Sequence, residues 1–234
     1  MDIGFDGGTS VFCNINAKAY SGDIIALLGV NGIGKSTFLR TLCGFLLPHK
    51  GSVNVDSIPV HEMTAGMLAY HFSVVYTERL NVENITVYEM VATGRSPYTG
   101  WFGNMNEIDI EITREAIQTA QLEPLQYRKF NFLSDGEKQR VMLARAICQN
   151  TTVMLLDEPT AFLDFRSKKH IFEIMNKPRR DNKDQVIVFS THEIDAALQY
   201  GNTFWLMKED KTFEVVKNTQ PGFEKKVKEK LGID

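Results

Sequence analysis

Gly29-Val30-Asn31-Gly32-Ile33-Gly34-Lys35-Ser36-Thr37 is the stretch on which the reading of this chain turns. A glycine, four free positions and then Gly-Lys-Ser is the spacing of a loop that wraps phosphate in its own backbone. Such a loop turns its N–H groups inward, and glycines at 29, 32 and 34 let the chain approach the anion that closely. Lys35 is then placed to reach the β and γ phosphates of a nucleoside triphosphate, and the Ser36 hydroxyl to bind Mg²⁺. The five residues before the loop, Ile24-Ile25-Ala26-Leu27-Leu28, are apolar without alternation, as a strand covered on both faces must be. Phe38, Leu39, Leu42 and Leu46 follow at helical spacing and predict a helix through Leu46. Strand, glycine loop and helix in that order aim a helix N-terminus at an anion.

Outward from this stretch, the composition narrows the class. The 234 residues carry a formal net charge of −3, which argues against a nucleic-acid footprint. Lys177, Arg179, Arg180 and Lys183, beside Pro178 and Asn182, read as a solvated loop. Cys13, Cys43 and Cys148 are far apart and lack metal spacing, so they read as small buried hydrophobes of a cytosolic protein. No apolar run approaches the roughly 20 residues that cross a bilayer. The acidic, glycine-rich start is not a signal peptide, so a membrane role would come through a partner.

Val11, Cys13 and Ile15 alternate and predict a short half-buried strand, as does the alternation of Gly51 to Val55; Phe72 to Tyr76 is another β-rich run. From about residue 82 to 149 the period becomes helical, with Val87, Met90 and Val91, then Ile108, Ile112, Ala116, Ile117 and Ala120, then Val141, Ala144 and Ile147. This predicts a helical insertion in an α/β core. Val153 to Leu156 and Val186 to Phe189 read as buried strands around a helix carrying Ile171, Phe172 and Met175, and such alternation implies a parallel sheet.

Val153-Met154-Leu155-Leu156-Asp157-Glu158 is a buried strand ending in two acids, where open α/β sheets bind ligands. Asp157 is suited to hold Mg²⁺ through water and Glu158 to orient or deprotonate an attacking water. Leu133-Ser134-Asp135-Gly136-Glu137 stands shortly before and opens a helix, with Ser134 and Glu137 spaced as a capping box. Here the chain resembles the ATP-binding-cassette (ABC) ATPases, whose signature reads Leu-Ser-Gly-Gly-Gln. The resemblance covers nearly the whole chain.

That resemblance implies a single ABC ATPase domain over residues 1–234: a parallel-sheet core with an antiparallel β subdomain and the helical insertion at about 82–149. It implies ATP and Mg²⁺ as cofactors. Asn31, Gly32, Gly34, Lys35, Ser36 and Thr37 bind the nucleotide, Phe5 stands where the family stacks a ring on adenine unless it is simply core, and Ser134 and Gly136 close over the ATP of a partner subunit. Glu158 and His192 are the implied catalytic pair, since Ser190-Thr191-His192-Glu193 resembles the switch that contacts the γ-phosphate. Ser36, Asp157 and Thr77 are the implied metal set, and Ala161-Phe162-Leu163-Asp164 resembles the dimer-contact loop.

Three departures stand out. Asp135 and Glu137 bring negative charge into the signature. Where the family has a glutamine after a β-strand, this chain offers Thr77 or the neighbouring Glu78. The chain also begins almost at the adenine-stacking aromatic, which leads us to expect an unpaired sheet edge. Gly94-Arg95-Ser96-Pro97-Tyr98-Thr99-Gly100-Trp101-Phe102-Gly103 resembles the segment that marks the ATPases of iron-siderophore, haem and cobalamin importers. Its aromatics either pack the insertion or dock on a permease.

The implied function is the ATP-hydrolysing subunit of an importer of an iron chelate, working as an ATP-sandwich homodimer on membrane permease subunits at the cytoplasmic face of the inner membrane, with a substrate-binding protein upstream. The alternatives are a cobalamin importer subunit and a soluble cassette, for instance one assisting iron-sulfur cluster assembly. A DNA-repair cassette would need a coiled-coil insertion, for which there is no heptad run. A small-molecule kinase would not explain the signature or His192.

Overall fold

The computed structural model describes residues 1–4, 8–77, 82–100, 103–177 and 184–232. The expectations placed on Phe5, Glu78, Trp101, Phe102, Arg179, Arg180 and Lys183 fall outside the described residues. Short antiparallel strands come first: β1 (Ile3–Gly4) pairs with β2 (Ser10–Phe12). The expected strand through Ile15 stops early because Asn14 takes φ 58, a left-handed conformation that breaks the pleat. Residues 1–4 are bonded on both sides. The Ile15 N–H donates to Met1 O at 2.9 Å, and across the other flank the Asp2 N–H donates to Lys50 O at 2.9 Å. The unpaired edge expected at the start is therefore not found at these four residues.

β3 (Ile24–Leu28) leads through the glycine loop into α1 (Lys35–Leu42). The helix ends four residues before Leu46, at a C-cap on Cys43 followed by Gly44 with φ 79. The alternating 51–55 stretch contributes only β4 (Asn54–Val55), hairpinned to β5 (Ile58–Pro59) by Asp56 and Ser57, both at positive φ as such tight turns require. α2 (Ala65–His71), unread in the sequence, starts where the Thr64 hydroxyl accepts the Met67 N–H, and it leads into β6 (Phe72–Val75).

In the helical insertion each described α-helix starts at a reciprocal capping box. These are Thr86 with Glu89 for α3 (Val87–Ala92), Asn106 with Asp109 for α4 (Glu107–Thr119), and Ser134 with Glu137 for α5 (Asp135–Gln149). The chain then alternates through β7 (Val153–Leu156), α6 (Phe165–Asn176), β8 (Val186–Thr191), α7 (Ile194–Tyr200) and β9 (Thr203–Met207), and closes with β10 (Phe213–Lys217) and α8 (Phe223–Lys230).

Among the described residues the main sheet is six-stranded, in the order β10-β9-β3-β8-β7-β6. All neighbours are parallel except β10 on β9. The unalternating apolar run of β3 has its explanation here: Ala26 and Leu28 enter the core shared with α3 to α7, while Ile25 and Leu27 enter the core shared with α1 and the β1–β2 pair. Helices thus cover both faces of a parallel sheet.

In the described part of the segment that begins at Gly94, Arg95 is a buried cation. Arg95 Nε donates to Asp109 Oδ1 at 2.9 Å and its Nη1 to Cys148 O at 3.0 Å, while the guanidinium lies 3.7 Å over the Tyr98 ring. The Tyr98 hydroxyl donates to Gln149 O at 2.9 Å and its ring meets Tyr70 edge-on. Tyr98 therefore packs the helical insertion, and Trp101 and Phe102 are the aromatics left to the docking account. Asp109 both neutralises Arg95 and closes the α4 capping box. Asp109→Ala should accordingly cost about 3–5 kcal/mol in denaturant unfolding, because it leaves a buried cation uncompensated. A loss under about 1 kcal/mol, the scale of an exposed pair, would contradict this arrangement.

Candidate active site

The carboxyl ends of β3, β8, β7 and β6 lie side by side in the sheet, and each delivers functional residues to that edge. This is where open parallel sheets bind ligands. β3 delivers the glycine loop. Gly34 caps α1 at φ 117 with no side-chain cap bond, which leaves the first-turn N–H groups of α1 for an anion. A Cβ at Gly34 would also lie 2.9 Å from Val11 Cγ1. Asn31, Gly32 and Ser36 are exposed, whereas Lys35 and Thr37 are buried. Lys35 folds back over the loop, with Nζ donating to Gly29 O at 2.8 Å and Val30 O at 3.2 Å. It also lies 3.5 Å from Glu158 Oε1. Burial lowers the pKa of this ammonium and the Glu158 carboxylate opposes that shift.

β7 delivers Asp157 and Glu158. Asp157 is buried and held from three directions: its N–H donates to Val75 O at 2.8 Å, its carbonyl accepts from the Thr77 hydroxyl at 2.7 Å, and its carboxylate accepts from the Ser190 hydroxyl at 2.8 Å. Glu158 takes φ 45, uncommon for a residue with a side chain, and its N–H donates to Ser190 Oγ at 2.8 Å. Its Oε1 lies between Lys35 Nζ at 3.5 Å and His192 Nδ1 at 3.9 Å. His192 follows β8 and is half exposed.

Lys35, Asp157, Glu158, Thr77 and His192 are thus brought together in one cluster, with Ser36 on the loop beside it. Sequence reasoning missed Ser190. The available signal was a hydroxyl residue ending an otherwise apolar strand, one strand away from the two acids.

Ser134 and Gly136 belong to a second surface. The Ser134 hydroxyl accepts the Glu137 N–H at 3.3 Å, and the Glu137 carboxylate accepts from the Ser134 N–H at 2.8 Å. That bond holds the Glu137 carboxyl below the usual glutamate range. The negative charge that Glu137 brings into the signature is thereby engaged in the helix cap. The N–H groups of Asp135 and Gly136 are not part of the box. Gly136 has a further reason to be glycine, since a Cβ there would lie 2.8 Å from Ser167 Oγ on α6. The stretch Ala161-Phe162-Leu163-Asp164 leads into the same helix: the Asp164 carboxylate caps α6 through the Ser167 N–H at 3.0 Å and hydroxyl at 2.8 Å. Phe162 and Phe165 on either side of it are more than four-fifths exposed.

A glycine loop between a central parallel strand and its helix, with acids ending the strand two places along the sheet, is the arrangement of phosphate-loop nucleotide hydrolases. Residues 12–161 match the family model described as ABC transporter, and the chain belongs to that family. It is 38% identical over 211 residues to an uncharacterized ABC transporter ATP-binding protein of Methanocaldococcus jannaschii, spanning 90% of this chain and 72% of that protein. It is 34% identical to the petrobactin import ATP-binding protein of Bacillus anthracis, over 85% of this chain and 72% of that one. Among solved structures it is similar to a dimeric ATP-binding cassette in a post-hydrolysis state bound to ADP and Pi, with TM-score 0.77, 25% identity and coverage of 90% and 92%. The chain is an ATP-binding, ATP-hydrolysing cassette.

Proposed function

We propose that this cassette powers import of an iron chelate, a ferric siderophore or haem, through a separate membrane permease. The observation that carries the hydrolytic part is Glu158, whose carboxylate lies within 4 Å of both Lys35 and His192 beside a buried Asp157. Lys35 binds the β and γ phosphates, and Asn31, Gly32, Gly34 and Thr37 wrap them with the loop. Ser36 and Asp157 offer the hydroxyl and carboxylate oxygens that Mg²⁺ takes alongside phosphate oxygens, and Thr77, whose hydroxyl proton is donated to Asp157 O, keeps lone pairs for a water near that position. Mg²⁺ when bound would neutralise charge on the transferring phosphate. Glu158 orients the attacking water and His192 contacts the γ-phosphate. Ser134 and Gly136 of a second copy close over the nucleotide, so the working unit is a homodimer. Phe5 is the proposed partner of the adenine ring.

The cargo reading rests on the petrobactin-import relative and on the segment from Gly94 to Gly103. Among the described residues no helix is long and apolar enough to cross a membrane. The proposed place is the cytoplasmic face of the inner membrane, held there by the permease and fed by a substrate-binding protein. Cobalamin is the second cargo in keeping with the same segment. The test is to co-purify the chain with its permease, place the complex in liposomes and measure ATP turnover with loaded binding protein. Stimulation by a ferric siderophore or haem and not by cobalamin is expected. Stimulation by cobalamin alone would replace the iron reading.

A further inference from the structure

Ser190 is a buried polar group at this edge that the roles above leave without a task. It is fully buried on β8, and its one hydroxyl joins the two acids: Oγ accepts the Glu158 N–H and donates to Asp157 Oδ1, each at 2.8 Å. Both bonds hold something that would otherwise move. The Glu158 backbone sits at φ 45, a left-handed region that is unfavourable for a residue with a Cβ and persists where surrounding bonds enforce it. The Asp157 side chain can rotate about its Cα–Cβ bond, and among its polar contacts the Ser190 hydroxyl is the side-chain donor that fixes one oxygen. The Asp157 backbone is already fixed by Val75 and Thr77 from β6 and the residues after it. A single atom from the next strand therefore completes the frame, setting the Asp157 carboxylate and the Glu158 backbone in one fixed relation.

We propose that Ser190 is a positioning residue for hydrolysis, one that sets the carboxylate orientation of Asp157 and the backbone of Glu158 without touching nucleotide. The inference rests on the reading that Asp157 serves the metal and Glu158 the water. Alanine at 190 removes the clamp and leaves the part-buried Glu158 N–H without this acceptor, while threonine keeps a hydroxyl at the same Cβ. Partners that orient a ligand in this way typically contribute 10–100-fold in metal affinity or activity.

The test compares Ser190→Ala and Ser190→Thr with the parent and with Glu158→Gln. For each, kcat and KM for ATP, metal-free ATP affinity, the Mn²⁺ midpoint of nucleotide binding and the unfolding midpoint are measured. Ser190→Ala is expected to lower kcat about 10–100-fold and raise the Mn²⁺ midpoint by about 10-fold, with KM and metal-free ATP affinity within about threefold of the parent. Ser190→Thr is expected to restore most of both losses. Should Ser190→Ala fail to fold, Ser190→Cys removes the strong donor at nearly constant volume and carries the same expectations. Turnover and Mn²⁺ midpoint within about threefold of the parent would overturn the proposal. So would a fall in metal-free ATP affinity in step with kcat, which marks a merely collapsed site. If Glu158→Gln hydrolyses ATP normally, it is the underlying assignment of Glu158 that fails. If Glu158→Gln is inactive while Ser190→Ala is normal, only the role of Ser190 fails.

Discussion

Lys35→Ala is expected to weaken ATP binding by about 10–100-fold and to abolish measurable turnover. The estimate follows from one hydrogen-bonded charge, worth about 1.5–3 kcal/mol, removed from the phosphates. The geometry adds a second loss. Lys35 Nζ bridges the Gly29 and Val30 carbonyls and lies 3.5 Å from Glu158 Oε1, so the substitution also frees the loop and leaves the acid without its cation. Arginine should not rescue it, because a planar fork cannot occupy the buried position of a compact ammonium. Calorimetric titration with ATP and a phosphate-release assay would check both parts, and near-normal turnover would remove Lys35 from the phosphate site.

Glu158→Gln is expected to separate binding from chemistry. The amide is nearly isosteric, so the left-handed backbone and its bond to Ser190 should survive, and ATP affinity should stay within about threefold of the parent. The amide cannot accept a proton from water or order it as a charge does, so turnover should fall by at least about 100-fold. An ATP-filled, unhydrolysed state should therefore accumulate. Single-turnover kinetics with labelled ATP would show it, and parent-like hydrolysis would move the catalytic role elsewhere on the sheet edge.

Particular residues show which parts of this were legible in advance. The glycine loop was, because a backbone cradle can be built from few residue types. The capping box at Ser134 was, because both partners lie within one turn. The strand that became β7 was, because a run buried on both faces tolerates no polar residue until the acids at its end. Other features depend on distant parts of the chain. Thr203–Met207 is a short apolar run whose role as β9 comes from pairing with β3, and nothing in its own period distinguishes that strand from a buried helical turn. The apolar spacing of α1 continues to Leu46, while the chain turns at Gly44. Glu137 brings negative charge into the signature, and the fold engages it in the cap. The hydroxyl of Ser190 stands out at the end of an apolar run, but its task does not, for the same reason as β9: its partners are more than thirty residues away and meet it only across the sheet.

In the proposed dimer, the loop and acids of one copy form a complete site with Ser134 and Gly136 of another. The measurement that reaches it most directly is the solution mass of the Glu158→Gln variant, by light scattering at saturating ATP and Mg²⁺. A dimer that reverts to monomer when Ser134→Arg is added is the predicted result. A monomer at saturating nucleotide would contradict the shared site.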